Sequence, residues 1–207
     1  MYEIKTGRNE ILPEVEIQGF YDELKRSKFI VLEKEFKNGA SASLDWLIPS
    51  ALGVYILKPY FEAFLKEAGK DHYLALKTAI AEKIVPKLLS KEAPHKIKRI
   101  TTGGKFKESY FSGSFSISSS INYYDKKVEI KLLFPENSDN DYCAKAIDNF
   151  SSFVSKYNDQ ELGDLIQKSN KFPISTSCFW YNSESDEIEL LDVIQSSMKK
   201  QIISASV

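Results

Sequence analysis

The chain has 207 residues, 43% of them apolar and 28% charged, with 28 basic side chains against 29 acidic ones. That length and apolar content suffice for one domain with an ordinary core. The balanced charge excludes the strongly basic make-up of a dedicated nucleic-acid binder and the acidic make-up of a solvating tail.

The opening Met1-Tyr2-Glu3-Ile4-Lys5 carries charge at once and has no apolar leader, so a cytoplasmic location is expected. Val15 and Ile17 alternate with Glu14, Glu16 and Gln18, the period-2 pattern of a half-buried strand over 13–18. A short helical turn is expected from Phe20 to Arg26. Phe29-Ile30-Val31-Leu32, continuing to Phe36, reads as a second strand that Asn38-Gly39 closes.

From Ser43 to Ser90 the period turns helical, which predicts a helical hairpin with Gly69 at its break. Pro49 and Pro59 fall in the first arm and predict a kink there, since an interior proline costs about 3 kcal/mol. The apolar run Trp46 to Leu57 in this arm is closed by Lys58 and Pro59, short of the ~20 residues a membrane-spanning helix needs. In the second arm Tyr73, Leu76, Ile80 and Ile84 form one apolar stripe.

Residues 94–107 are read as an extended segment or loop. They are followed by a serine-rich hairpin over 108–134, with Phe111, Gly113, Phe115, Ile117, Ser119, Ile121 and Tyr123 on one face and Ser112, Ser114, Ser116, Ser118, Ser120 and Asn122 on the other. Its return strand alternates Val128, Ile130 and Leu132 with Glu129 and Lys131. A helix from Cys143 to Tyr157 is expected to pack on the apolar face. A shorter helix at 161–168 and a second hairpin, 174–181 with 187–193, complete the pattern; the tail from Ser196 is read as helical or frayed.

Runs of strands and runs of helices, rather than strict βαβ alternation, imply an α+β fold: an antiparallel sheet with two β-hairpins, helices on one face and an inserted helical hairpin. A single domain over 1–207 is expected, with 43–90 as a candidate subdomain.

Three groups of residues carry chemistry. Glu129-Ile130-Lys131 puts a carboxylate and an ammonium on one face of a strand, where the first can hold Mg²⁺ and the second can steady a water. This resembles the strand used by nucleases of the restriction-endonuclease-like superfamily. Their pattern adds an upstream acid, usually Asp, on the preceding strand; here the acids on offer are Glu108 and Asp125. A similar Glu35-x-Lys37 lies at the end of the second strand. The alternative for both is a solvated cross-strand charge pattern.

The second group is the one-signed stretch with Lys96, Lys98, Arg99, Lys105 and Lys107 around Thr101-Thr102-Gly103-Gly104, a candidate anion site and the one local patch through which nucleic acid would bind. The third is the aromatic set Trp46, Tyr55, Tyr60, Phe61 and Phe64, which suits a core helix or a surface for a protein partner or a second copy. His72 has no paired nucleophile, and no GxSxG elbow surrounds any serine. The cysteines, Cys143 and Cys178, have no Cys-x-x-Cys or Cys/His spacing that could assemble a zinc site and are read as reduced core residues; no cofactor is expected.

The leading expectation is a non-enzymatic module that self-associates or binds a protein partner through the aromatic helix. The alternatives are a metal-dependent nuclease or phosphate-ligand enzyme using Glu129 and Lys131, and a membrane-active effector.

Overall fold

The structure, a computed structural model, describes residues 2–36, 50–64, 66–96, 99–100, 106–107, 110–169 and 176–192. Trp46, Lys98, Lys105, Glu108, Lys37 and the tail from Ser196 lie outside them. In chain order the elements are β1 (Tyr2–Asn9), α1 (Glu14–Arg26), β2 (Phe29–Phe36), β3 (Leu52–Ile56), α2 (Lys58–Phe64) and α3 (Glu67–Ala79), which runs on as a π-helix (Ile80–Leu89). They continue with β4 (Arg99–Ile100), β5 (Phe106–Lys107), β6 (Phe111–Tyr123), β7 (Lys126–Pro135), α4 (Asn140–Lys156), α5 (Asp159–Ser169), β8 (Thr176–Asn182) and β9 (Glu187–Leu190).

Seven strands form one sheet in the order β2-β1-β3-β6-β7-β8-β9. The sheet is mixed, which corrects the antiparallel sheet expected from the sequence: β1 and β2, β3 and β6, and β7 and β8 pair in parallel, and the other neighbours are antiparallel. Each parallel pair is joined through helices, as parallel strands must be. The first such crossover is hidden in the sequence because residues 14–18 alternate like a strand. They open α1 instead, whose buried Ile17, Phe20, Tyr21 and Leu24 follow the helical period and bury one face completely.

The expected inserted helical hairpin is also corrected. Leu52–Ile56 is a strand in the middle of the sheet, with Leu52, Val54 and Ile56 buried on one side. A short apolar run reads as strand or helix equally well, and here the neighbours β1 and β6 decide for strand. Pro59 does not kink a helix; it stands in the first turn of α2, where a missing N–H costs nothing. Gly69 does not stand at the break between the arms but lies in the first turn of α3, which begins at Glu67. A Cβ there would come within 2.2 Å of the Ala63 carbonyl oxygen, so only glycine lets α2 and α3 turn so sharply. Pro86, which has no N–H to give, falls inside the π-helix.

The β6–β7 hairpin closes on Tyr124 and Asp125, with φ of 42° and 58°, in the two-residue turn that matches strand twist. Its alternation is interrupted near the start. Phe111 pairs with Pro135 and Ser116 with Leu133, so four residues of β6 stand against Phe134 alone. The bulge sends Phe111 to the opposite side from Phe115, which corrects the single aromatic face expected for this strand.

All the helices bury their apolar residues against one face of the sheet, in a cluster running from Ile4 and Phe20 through Leu76, Ile117 and Ile130 to Phe150 and Phe179. Helix α4 starts on Asp139, whose carboxylate accepts from Tyr142 N at 2.8 Å. Helix α5 starts on a reciprocal box: Asn158 Oδ1 accepts from Glu161 N and Glu161 Oε2 from Asn158 N, both at 2.9 Å. Ion pairs fasten the helices to one another. Lys77 donates to both oxygens of Asp148, joining α3 to α4, and Lys58, 9% exposed, meets Asp159 at 2.9 Å, joining α2 to α5.

Candidate functional site

The face of the sheet turned away from the helices carries most of the chemistry. Strand register arranges its side chains in rows. One row runs Leu32, Lys5, Tyr55, Ser118, Lys131 and Cys178 across β2, β1, β3, β6, β7 and β8. The row on one side is Lys34, Gly7, Gly53, Ser116 and Leu133; on the other side Ser120, Glu129 and Thr176 adjoin. Because side chains alternate strictly along each strand, a shift of one residue would carry all these groups to the helix side.

Tyr55 and Ser120 share a hydrogen bond of 2.5 Å, and Lys127 Nζ stands 5.4 Å from the centre of the Tyr55 ring. Glu129 and Lys131 form an ion pair at 3.5 Å, and Thr176 Oγ1 donates to Glu129 at 3.4 Å. Ser50 donates to Ser116 at 2.7 Å. The serines are not a solvated surface: Ser112, Ser114, Ser116 and Ser118 are 0, 0, 1 and 6% exposed. Beside them Phe111, Leu133, Cys178 and Leu191 make a second, small apolar cluster with Trp180 packed on it. Strand β6 is therefore buried on both faces.

The structure thus places Tyr55, Glu129 and Lys131 on one surface and adds Lys5, Ser118, Ser120 and Thr176, which sequence reasoning did not single out. The missing information was strand order, since nothing in the sequence says that β3 and β8 flank the hairpin. Glu129 meets Lys131 rather than a second acid. Asp125 is in the turn, ~13 Å away along the strand at ~3.3 Å per residue. Among the described residues no three His, Cys, Asp or Glu side chains are grouped so as to hold a metal ion.

The other expected residues are dispersed. Phe61 and Phe64 are 1% and 2% exposed, with Phe61 edge-on to Phe150 at 5.8 Å and Phe64 stacked on Tyr73 at 5.3 Å. Tyr60 is half-buried, and its hydroxyl accepts from Glu3 N at 3.3 Å. Lys96 donates to the Lys91 carbonyl and to Asn137, at 3.0 and 2.5 Å. Arg99 and Lys107 stand opposite each other in the small β4–β5 ladder. His95 meets Glu16 at 3.1 Å, and Glu16 also pairs with Lys87. His72 lies against the rings of Tyr2 and Phe29, at 4.6 and 5.4 Å.

Compared with protein-family models, curated proteins and solved structures, the chain matches none. Among the described residues no helix is long and apolar enough to cross a membrane.

What the molecule offers to a partner is found at the sheet edges. Edge β9 is four residues long and presents Glu187 and Glu189, both features that blunt an edge. Edge β2 is eight residues long and, among the described residues, pairs with β1 alone. Its second half carries Glu33, Lys34 and Glu35. Its first half carries Ile30 and Leu32, 41% and 45% exposed and adjacent on the face away from the helices. Sequence reasoning identified this strand but not that it ends the sheet.

Proposed function

We propose that the protein is an interaction module that receives a partner strand along β2. One observation carries this reading: an eight-residue edge strand whose outer backbone is flanked by two exposed aliphatic side chains. An edge of that length supplies a row of backbone donors and acceptors, and alternate side chains supply the apolar contact, which is how extended segments add to sheets. The burial of Phe61 and Phe64 moves the interaction surface from the aromatic arm to this edge. The Glu129–Lys131 pair, closed on itself, carries no second reading.

The test is a photoreactive residue placed at Leu32 and, separately, at Leu74, which is 51% exposed on α3. In the protein's own cells, irradiation is expected to give protein adducts from position 32 and none from position 74. Absence of adducts at 32, or equal yields at both, refutes the edge as the docking surface.

A further inference from the structure

We infer that the strand received by β2 is the β2 of a second copy, the two running antiparallel about a two-fold axis through Leu32. This rests on the reading of β2 as a docking edge and adds the identity of its occupant. A two-fold axis normal to the sheet keeps the helices of both copies on one side and must pass between a residue and its own copy, because opposed residues in an antiparallel pair share a face. Only a few registers remain, and charge and length choose among them.

With the axis at Leu32, residues 29–35 all find a partner: Leu32 meets Leu32, Ile30 meets Lys34, Val31 meets Glu33, and Phe29 meets Glu35. No like charges are opposed. With the axis at Glu33 the overlap is as long, but Glu33 faces its own copy. At Lys34 that lysine faces itself and Glu33 faces Glu35. At Val31 the overlap shortens to residues 29–33 and Lys34 comes opposite Lys28, just before the strand. Like charges directly opposed destabilise a strand pair, so the axis at Leu32 stands alone.

The pairing brings four exposed aliphatic side chains, Ile30 and Leu32 of each copy, into one strip on the face away from the helices. The charged half of each strand then lies beside the apolar half of the other. Glu33 and Glu35 keep their own ion pairs, with Lys25 and Arg8, on the helix side. A charged half that would repel a copy in any other register therefore serves to set the register.

The purified full chain decides this. Light scattering during size exclusion is expected to give twice the 23.6 kDa chain mass. Leu32→Cys is expected to oxidise to a covalent dimer, because the two Cβ atoms meet at the axis. Lys34→Cys is expected not to, since its copies lie ~13 Å apart along the strands, beyond the ~7 Å limit on Cα separation. Leu32→Lys is expected to raise the dimer dissociation constant about tenfold or more, while Ile30→Glu, opposite Lys34, keeps the dimer. A folded monomer at every concentration overturns the inference, as does a crosslink at position 34 in place of 32. If Leu32 adducts in cells then run to a different protein, the edge reading stands and only the second copy is lost.

Discussion

Gly163→Ala is the most instructive single change. Gly163 lies inside α5, where alanine is favoured over glycine by about 1 kcal/mol, so propensity alone says that the substitution stabilises. The tertiary structure reverses the sign. A Cβ at this position would stand 1.9 Å from Cδ2 of Tyr123 and 2.5 Å from Cγ and Cε2, about half to two thirds of a normal carbon contact. The ring is held by its hydroxyl, which donates to Asp164 Oδ1 at 2.8 Å, so relieving the clash means giving up that hydrogen bond or shifting α5 away from β6. Overpacking of this kind costs about 1–3 kcal/mol, which leaves a net loss of up to about 2 kcal/mol once propensity is credited. With Tyr123→Ala in the background the ring is gone, and the same substitution is expected to gain about 1 kcal/mol. Urea unfolding of the four proteins in the cycle measures both signs. A Gly163→Ala that stabilises in both backgrounds, or destabilises equally in both, refutes the contact as the reason for glycine.

Three further outcomes follow from buried groups. Among the described residues the hydroxyls of Ser119 and Ser177 are buried without a hydrogen-bond partner on either side of Ile130, so Ser119→Ala and Ser177→Ala are expected to be neutral or to stabilise by up to about 1 kcal/mol; a loss above that in thermal unfolding means the hydroxyls are satisfied. Asp159→Ala strands the buried ammonium of Lys58 and also removes the acceptor of Asn122 N, for an expected loss of about 3 kcal/mol, most of it recovered by adding Lys58→Met; no recovery in the double variant sinks the idea. Burial, with a smaller part from Asp139, pushes the Cys143 thiol from 9.0 up to about 12. Its folded pKa is the higher one, so its contribution is whole below about pH 9 and falls by ~1.4 kcal/mol per pH unit above it, until pH 12. Burial likewise raises Tyr73 and Tyr142, which extends the loss above pH 10. Urea midpoints at pH 8 and pH 10 should therefore drop further for wild type than for Cys143→Ala, and equal drops would show the thiol is not the cause.

Local chemistry made much of the chain legible. The β6–β7 hairpin, the helix after it and the second helical arm all follow from periodicity, because each has a clear apolar stripe or alternation. The failures share a cause. Residues 14–18 satisfy both periods over five positions, and the choice of helix is made by what Ile17 and Phe20 bury against. Residues 52–56 are apolar enough for either state, and they become a strand because β1 and β6 leave a place between them.

The serine strand shows where the limit lies. Its alternation was written in the sequence, and so was the presence of Glu129 and Lys131 on one side of its mate. That its uncharged face is buried, that a bulge turns Phe111 to that face, and that Tyr55 and Thr176 join the same surface depend on strand order. Strand order is set by long-range packing, which no local window contains. The same holds for β2: its apolar and charged halves are composition, but its exposure is position. The sequence by itself determined which segments can be strands and helices and which side chains share a face, since those are matters of period and turn chemistry. Only the tertiary structure decided which strand lies at the edge and which aromatic residues lie inside, because both depend on what every other element has already covered.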